Sequence, residues 1–400
     1  MKVVHINTFA GGGAGTAASR LHEELLQQGV DSSFVCMEDK SVTIKNSITL
    51  PFAHPTLWNK IRNKLNFPVM AEHIKEHLID KYQPQCEFLG TPYSDYKVEE
   101  LAVVQEADII NLNWVTSFIN YPTFFKKINK PIVWTIHDLS AFMGCFNYPI
   151  EQINNPKMKM IDSIFYKEKI AALKEYNYQI HIVAPSEWIM EEAQKYMPFA
   201  TLSYHHIPNG IDRKKINYID TYEAREKLGL PKDVCILLFV CENIENKRKR
   251  FDRVLDLVQK FSDSKILFVA VGDQLNISPN EHINFVGKVK SLEKLNLYYA
   301  AANYFLIPSE EDNFPNVVLE SLFCGTPVIS NNVGGMKDII NESNGFLVDE
   351  FDIFEITNII QRTINKELIF DKKQISENIT NTYSVSKMAN EYLELYKSLL

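Results

Sequence analysis

Between Asn303 and Gly335 the chain reads NYFLIPSEEDNFPNVVLESLFCGTPVISNNVGG, an order of residues that few folds accommodate. Tyr304-Phe305-Leu306-Ile307 is an apolar, β-prone run, and Pro308-Ser309 breaks it. Val317, Val318, Ser321 and Leu322 then recur at helical spacing. Pro315 is expected at the first helical position, where its missing N–H costs nothing, and Gly325 at the cap. Pro327-Val328-Ile329-Ser330 starts another buried strand. Strand, helix and strand in this order, with apolar runs rather than alternation, is the unit of a parallel sheet covered by helices. The expected fold class is α/β.

Two carboxylates mark the unit: Asp312 in the loop and Glu320 about one turn inside the helix. Both can face the crevice at the carboxyl ends of the strands, where open α/β sheets bind ligands. The backbone N–H groups of Asn316 and Val317 at the helix start would attract a phosphate, helped by the helix dipole. A carboxylate beside a diphosphate is better suited to gripping sugar hydroxyls than to holding charge. The same residues also fit an acidic cap on a Rossmann-like helix, and local chemistry leaves both readings open.

The rest of the chain repeats strand–helix alternation twice. Lys2–Asn7 reads as a strand, Gly11-Gly12-Gly13-Ala14-Gly15 as a loop and Thr16–Gln28 as a helix. The glycines depart from G-x-G-x-x-G, and no acidic residue closes a clear second strand, which disfavours a dinucleotide site. In Trp58–Phe67, Trp58, Ile61 and Leu65 alternate with Lys60, Arg62 and Lys64. That pattern fits a helix lying on an anionic membrane, and also the commoner surface helix packing its apolar stripe on the domain. Strands are expected over Ala107–Leu112, over Pro131–Asp138 with His137 and Asp138 at its carboxyl end, and over Ile180–Ser186 as the last of the first half. The His-Asp pair fits a functional site or a structural hydrogen bond. Asn209-Gly210 is a turn signal, placing the boundary near residue 210. Beyond it, Cys235–Cys241 and Gly345–Val348 read as strands, Ile266–Asp273 as a strand with its loop, followed by the segment Ile283–Val289, and Leu292–Ala302 and Val385–Leu400 as helices. The four cations Lys247-Arg248-Lys249-Arg250 are the one dense basic run of this half. Such runs are usually solvated faces, but a crevice holding a diphosphate also needs cations.

Composition narrows the classes. A net charge of −8 argues against a nonspecific nucleic-acid binder. The six cysteines form no C-x-x-C pair, which suggests buried thiols in a reducing cytosol. The start of the chain shows no signal region, and no apolar run approaches the ~20 residues of a membrane span. A cytoplasmic protein is expected, in peripheral contact at most with the inner face of the membrane.

These residues resemble family 4 glycosyltransferases, whose E-x7-E signature is written PSxxEGFGxxxxEAMACGTPV. Pro308-Ser309 and Glu320 through Val328 match it, while Asp312 stands for the first Glu and Asn313-Phe314-Pro315-Asn316 replaces Gly-Phe-Gly. The form is that of an EDN-[LF]-PN variant. Gly12-Gly13, the T-x-H-D segment at His137, Pro208-Asn209-Gly210-Ile211-Asp212 and Gly334-Gly335 extend the resemblance over almost the whole chain.

The resemblance implies a GT-B architecture, two Rossmann-like domains facing across a cleft. Residues 1–209 would form the acceptor side, 210–384 the donor side, and helix 385–400 would pack back on the first domain. It implies retaining, metal-independent transfer from a UDP- or GDP-linked sugar to a glycan or lipid-linked acceptor, in polysaccharide biosynthesis and without a cofactor. Asp312 would grip the donor sugar, Glu320 the ribose, and Lys249 with Arg248 the diphosphate. Lys288 and Val289 belong to the segment whose backbone reads the base, and Asn313, Phe314, Asn316 and Val317 line the donor. His137 would orient the sugar, and Gly12 and Gly13 would let the acceptor approach. Glu242 stands where many members carry an arginine, and Arg250 where they carry glycine. Another GT-B enzyme such as a nucleotide-sugar epimerase, or a non-catalytic nucleotide-sugar binding protein, are the alternatives.

Overall fold

The computed structural model describes residues 1–38, 43–51, 70–196, 202–261, 265–273 and 282–400. They form two compact units: Met1–Pro208 together with Met388–Leu400, and Asn209–Lys387. The Trp58–Phe67 segment lies outside the described residues.

The first unit is built on a seven-stranded sheet: β1 (Lys2–Ile6), β2 (Asp31–Met37), β3 (Ser47–Leu50), β4 (Ile109–Leu112), β5 (Ile132–Thr135), β6 (Ile180–Ala184) and β7 (Leu202–His206). The order is β3-β2-β1-β4-β5-β6-β7, with every pairing parallel. The second unit holds six parallel strands, β8 (Cys235–Asn243), β9 (Ile266–Asp273), β10 (Ile283–Gly287), β11 (Tyr304–Ile307), β12 (Val328–Asn331) and β13 (Gly345–Val348), in the order β10-β9-β8-β11-β12-β13. The central strands β4, β5 and β11 are buried at every position, as in the Ile-Val-Trp-Thr of β5 and the Tyr-Phe-Leu-Ile of β11. Helices cover both sheet faces, so such strands need no polar side. The edge strands β3 and β7 carry Ser, Thr and His and are largely half-exposed.

In both sheets the strand order reverses at one place, between β1 and β4 and between β8 and β11. There the loops leaving neighbouring strands part to opposite faces and open a crevice at the carboxyl ends.

Several local expectations need correction. The strand Ile180–Ala184 is not the last of the first unit, since β7 follows it. The first helix starts at Gly12, not Thr16, so the glycine run forms its opening turn. A second strand does exist, and Glu38 follows it directly. The β5 strand stops at Thr135, leaving His137 and Asp138 in the loop. Pro315 is the N-cap of the helix Asn316–Phe323, not its first residue: with ψ 123° it is still extended. At the other end Gly325 takes φ +83°, and the N–H groups of Gly325 and Thr326 reach back to Leu322 and Ser321. That left-handed closure satisfies the last carbonyls.

Candidate functional site

At the β8–β11 reversal the loop after β11 meets the loop after β8. Asn246 opens a short turn, its side chain accepting from the Arg248 N–H, and the turn presents Arg248 and Lys249. Lys249 Nζ donates to Asp312 Oδ2 at 2.5 Å, and Arg248 Nη1 lies 3.5 Å from Oδ1. Ser309 Oγ, fully buried, donates to the same carboxylate at 3.1 Å. Arg248 also donates to the Glu311 carbonyl at 2.7 Å, and the Glu310 N–H to the Arg248 carbonyl at 2.8 Å. The two loops are thus laced together by backbone and side chain.

Asp312 is 6% exposed. Burial by itself pushes its pKa up, but the charges of Lys249 and Arg248 and the hydrogen bonds from Lys249 and Ser309 outweigh it and hold the carboxyl below its ordinary value. One carboxylate faces two cations, so these three side chains together keep a net positive charge.

Gly334 and Gly335 lock Asp312 from below. The Gly335 N–H donates to the Asp312 carbonyl at 3.1 Å, and Gly334 sits at φ +55° against it. A Cβ at Gly334 would fall 1.8 Å from that oxygen. Only glycine fits there.

The helix Asn316–Phe323 begins beside this cluster, and no side chain caps it. Glu320 is buried on it, with Tyr299 Oη donating to Oε2 at 3.4 Å. Phe314 is buried against the Tyr383 ring, and Asn313 is buried beside it, while Val317 packs on the core. Lys288 stands elsewhere: its Nζ pairs with Glu242 at 3.1 Å and Asp273 at 3.3 Å, at the ends of β8 and β9. Val289 next to it packs on the core. Sequence reasoning missed Ser309 and Tyr299 as partners and did not foresee that Glu242 is answered by Lys288.

The first unit brings a different set together. At its reversal Asn7 Nδ2 donates to the Phe9 carbonyl at 2.6 Å, and Asn7 Oδ1 accepts from the Trp114 N–H at 2.8 Å. Gly12 takes φ +74°, and a Cβ at Gly12 or Gly13 would meet nothing within 4 Å. Gly15 is the tight one, its Cβ position lying 2.5 Å from the Phe9 carbonyl.

Beyond β5, His137 Nε2 faces Asn113 Oδ1 at 3.4 Å. Asp138 is engaged separately, accepting from Trp114 Nε1 and the Ser140 N–H, each at 2.8 Å. Burial lowers the His137 pKa to about 4 and raises that of Asp138 to about 6. Lys169, buried beneath the loop, donates to the Ser140 and Met143 carbonyls, and burial brings its pKa down to about 8.

Asn113 continues inward, its Nδ2 donating to Asn111 Oδ1 at 2.9 Å; Asn111 Nδ2 in turn donates to Tyr396 Oη at 2.7 Å. This buried chain from the C-terminal helix Val385–Ser398 to His137 was not foreseen. The polar Asn111 and Asn113, flanking Leu112 at the end of an apolar strand, were its one signal.

Among the described residues no cluster of three or more His, Cys, Asp or Glu could hold a metal ion. All six cysteines are free thiols. No described helix is long and apolar enough to cross a membrane.

Residues 11–215 match the family described as Glycosyltransferase Family 4, and residues 220–382 match Glycosyl transferases group 1. An uncharacterized 41.2 kDa protein in the cps region of Klebsiella pneumoniae is 24% identical, covering 100% of both chains. N-acetyl-alpha-D-glucosaminyl L-malate synthase of Bacillus anthracis is 28% identical over 48% of this chain and 53% of that protein. Among solved structures, Anabaena HepE in complex with UDP and glucose superposes with a TM-score of 0.70, at 14% identity and covering 100% of both chains. At that identity the likeness speaks for the fold.

Proposed function

The chain belongs to glycosyltransferase family 4 and has the GT-B fold of its structural neighbours, and from that premise we propose that it transfers a sugar, with retention, from a nucleotide-diphosphate sugar to a glycan or lipid-linked acceptor of a surface polysaccharide. The observation that carries the donor is the Lys249–Asp312–Arg248 cluster at the β8–β11 reversal. In the reaction the bond from the anomeric carbon to the diphosphate breaks. An acceptor oxygen bonds to that carbon and gives up its proton, and the nucleoside diphosphate leaves with the bonding pair.

The electrostatic demand is therefore on the leaving oxygens. Lys249, Arg248 and the uncapped start of the Asn316–Phe323 helix supply donors to meet it. Asp312, held ionised, is free of any need to capture a proton and is suited to accept hydrogen bonds from sugar hydroxyls. Glu320 is assigned to the ribose, and the segment after β10 to the base. His137, neutral at physiological pH, acts as a hydrogen-bonding group toward the sugar rather than as a cation. The open side of Gly12 and Gly13 leaves room for the acceptor. The cps-region relative supports the polysaccharide setting, and the UDP complex of HepE supports a UDP-linked donor. A cytoplasmic site of action, at the inner face of the membrane where lipid-linked acceptors lie, follows from the same reading.

A thermal-shift panel of UDP- and GDP-sugars tests the donor, because a ligand at about 100 times its Kd adds roughly 2.7 kcal/mol. Product analysis with the labelled donor then separates the alternatives. Transfer, or slow hydrolysis that keeps the anomeric configuration, supports the proposal. Conversion to an epimer without acceptor, or no turnover of a sugar that binds, overturns it.

A further inference from the structure

The helix Lys159–Lys174 in the first unit has an unusual outer face. Its inner side is buried through Asp162, Phe165, Lys169, Ile170, Ala172 and Leu173. The opposite side, reading back into the turn Pro156–Met158, exposes Lys157, Met160, Ile164, Lys167 and Ala171 at spacings of three and four. A helix facing water normally turns polar residues outward. Here Met160 is 72% exposed and Ile164 47%, and Ile153 on the preceding helix Pro149–Asn154 is 70% exposed.

Charge sharpens the picture. From Ile153 to Lys167 the exposed charged residues are Lys157, Lys159 and Lys167, all positive, in a chain of net charge −8. The acid within that stretch is turned inward: Asp162 is buried and accepts from the Cys145 N–H and Gln152 Nε2. Glu168, just beyond, takes the Tyr93 hydroxyl.

We propose that this face, Ile153, Met160 and Ile164 ringed by Lys157, Lys159 and Lys167, is a docking surface for an anionic lipid bilayer. Apolar side chains enter the headgroup layer while lysines, with long stems and charged tips, pair with lipid phosphates. A second copy of the chain fits poorly, because a two-fold contact would set these lysines against their own counterparts. The placement also suits the proposed reaction. The chain leaves β5 at the carboxyl edge, passes His137, and returns through this helix to the amino end of β6. Its first turn therefore starts at the sheet edge that holds His137 and Gly12.

The inference deepens the reading of a lipid-linked acceptor and rests on it for its purpose. Flotation needs no sugar transfer, so the two fail separately. The purified full chain is floated with phosphatidylcholine vesicles, with and without phosphatidylglycerol. Binding is expected to the anionic vesicles and to fade at high salt, with roughly fivefold contributed per lysine. Met160→Glu/Ile164→Glu should weaken it at least about tenfold, and Lys157→Gln/Lys159→Gln/Lys167→Gln by a similar factor or more. Phe354→Glu, at an exposed aromatic of the second unit, should float like wild type. Melting curves and sedimentation of each variant accompany the assay. No flotation of wild type, or flotation of both multiple variants equal to wild type, overturns the proposal. So does a self-association that Met160→Glu/Ile164→Glu abolishes, which would assign the face to a second copy.

Discussion

The two carboxyl edges of this protein solve the same topological problem with opposite chemistry. In the second unit the strand-order reversal is filled with charge, Lys249 and Arg248 against Asp312, supplied by two loops that exchange hydrogen bonds. In the first, the equivalent place holds the neutral Asn7, Asn113 and a His137 whose pKa burial lowers to about 4, and its carboxylate, Asp138, is taken up by Trp114 Nε1 and the Ser140 N–H instead of by cations. A diphosphate leaving with extra negative charge needs fixed cations. A sugar and an acceptor hydroxyl need oriented hydrogen-bonding partners more than charge. The contrast follows if the second edge handles the leaving diphosphate and the first the sugar with its acceptor, and it breaks where removing charge or removing orientation fails to have its separate effect.

The largest effect is expected from Lys249→Ala. Losing one donor to developing charge typically lowers turnover by ~10²–10³. Lys249→Arg should recover much of it. Turnover within about threefold of wild type would hand the role to Arg248.

The same variant should invert a pH dependence. In wild type the Asp312 pKa is depressed in the folded state, so its contribution to stability is present above the unfolded value of about 3.9 and lost as pH falls through the folded value. Without Lys249, burial dominates and the pKa rises. The folded variant then takes up a proton before the unfolded chain does, and the difference in Tm between wild type and Lys249→Ala should narrow as the buffer is taken from pH 7 toward pH 4.

Orientation is tested next, with a smaller effect. Asn113→Leu removes the group facing His137 and strands the buried Asn111 Oδ1, which accepts from it. An unsatisfied buried acceptor costs about 1–3 kcal/mol. Turnover should fall by several-fold while donor affinity holds, and ¹⁵N spectra of the His137 ring should report a changed tautomer population, since the tautomer follows the hydrogen bond its nitrogen makes. Stability loss with unchanged His137 resonances would reduce Asn113 to a packing role.

The two edges also differ in how far they could be read from the sequence. The Asp312 loop, the Asn316–Phe323 helix and both flanking strands lie within one contiguous segment, where apolar runs, Pro and Gly report local geometry directly. The α/β class followed from that unit. The error there was one residue: Pro315 reads as helical because proline is preferred at a first turn, yet its extended ψ makes it the cap.

The first unit was harder. The strands β2, β3 and β7 carry Ser, Thr and His, because their edge or near-edge positions do not demand apolar side chains, and pattern reading passed over them. Gly12 and Gly13 read as loop since glycine disfavours helix, but the turn is held by its place after β1. Asn113, which faces His137, lies 24 residues away just past the end of another strand, and the chain behind it ends 285 residues from Asn111, at Tyr396. No local pattern encodes such pairs. The Lys288–Glu242 pair is hidden in the same way, since only the sheet order β10-β9-β8 brings the ends of β10 and β8 within reach of each other across β9.

The smallest effect belongs to Arg250, which asks whether the charged edge depends on strain in its backbone. Arg250 occupies the left-handed region at φ 53° and is the N-cap of the helix Phe251–Lys260. A non-glycine residue there costs roughly 1–2 kcal/mol relative to the right-handed region. It is partly offset by the pairing with Asp252, at 2.9 Å, which as an exposed ion pair adds ~0.2–1 kcal/mol. Arg250→Gly relieves the strain, loses that pair and loosens the unfolded chain, so its stability should stay within about 1 kcal/mol of wild type. Arg250→Ala loses the pair and keeps the strain, and alanine is also the poorer N-cap. The glycine variant should therefore exceed the alanine variant by ~1 kcal/mol in urea denaturation, the reverse of their order in a helix interior. Turnover should be unaltered in both, because Lys249 and Arg248 keep their own contacts to Asp312 and Glu311. An alanine variant as stable as glycine would mean the turn relaxes out of the left-handed region, and a loss of turnover in the glycine variant would mean that the side chain at 250 fixes the position of Lys249.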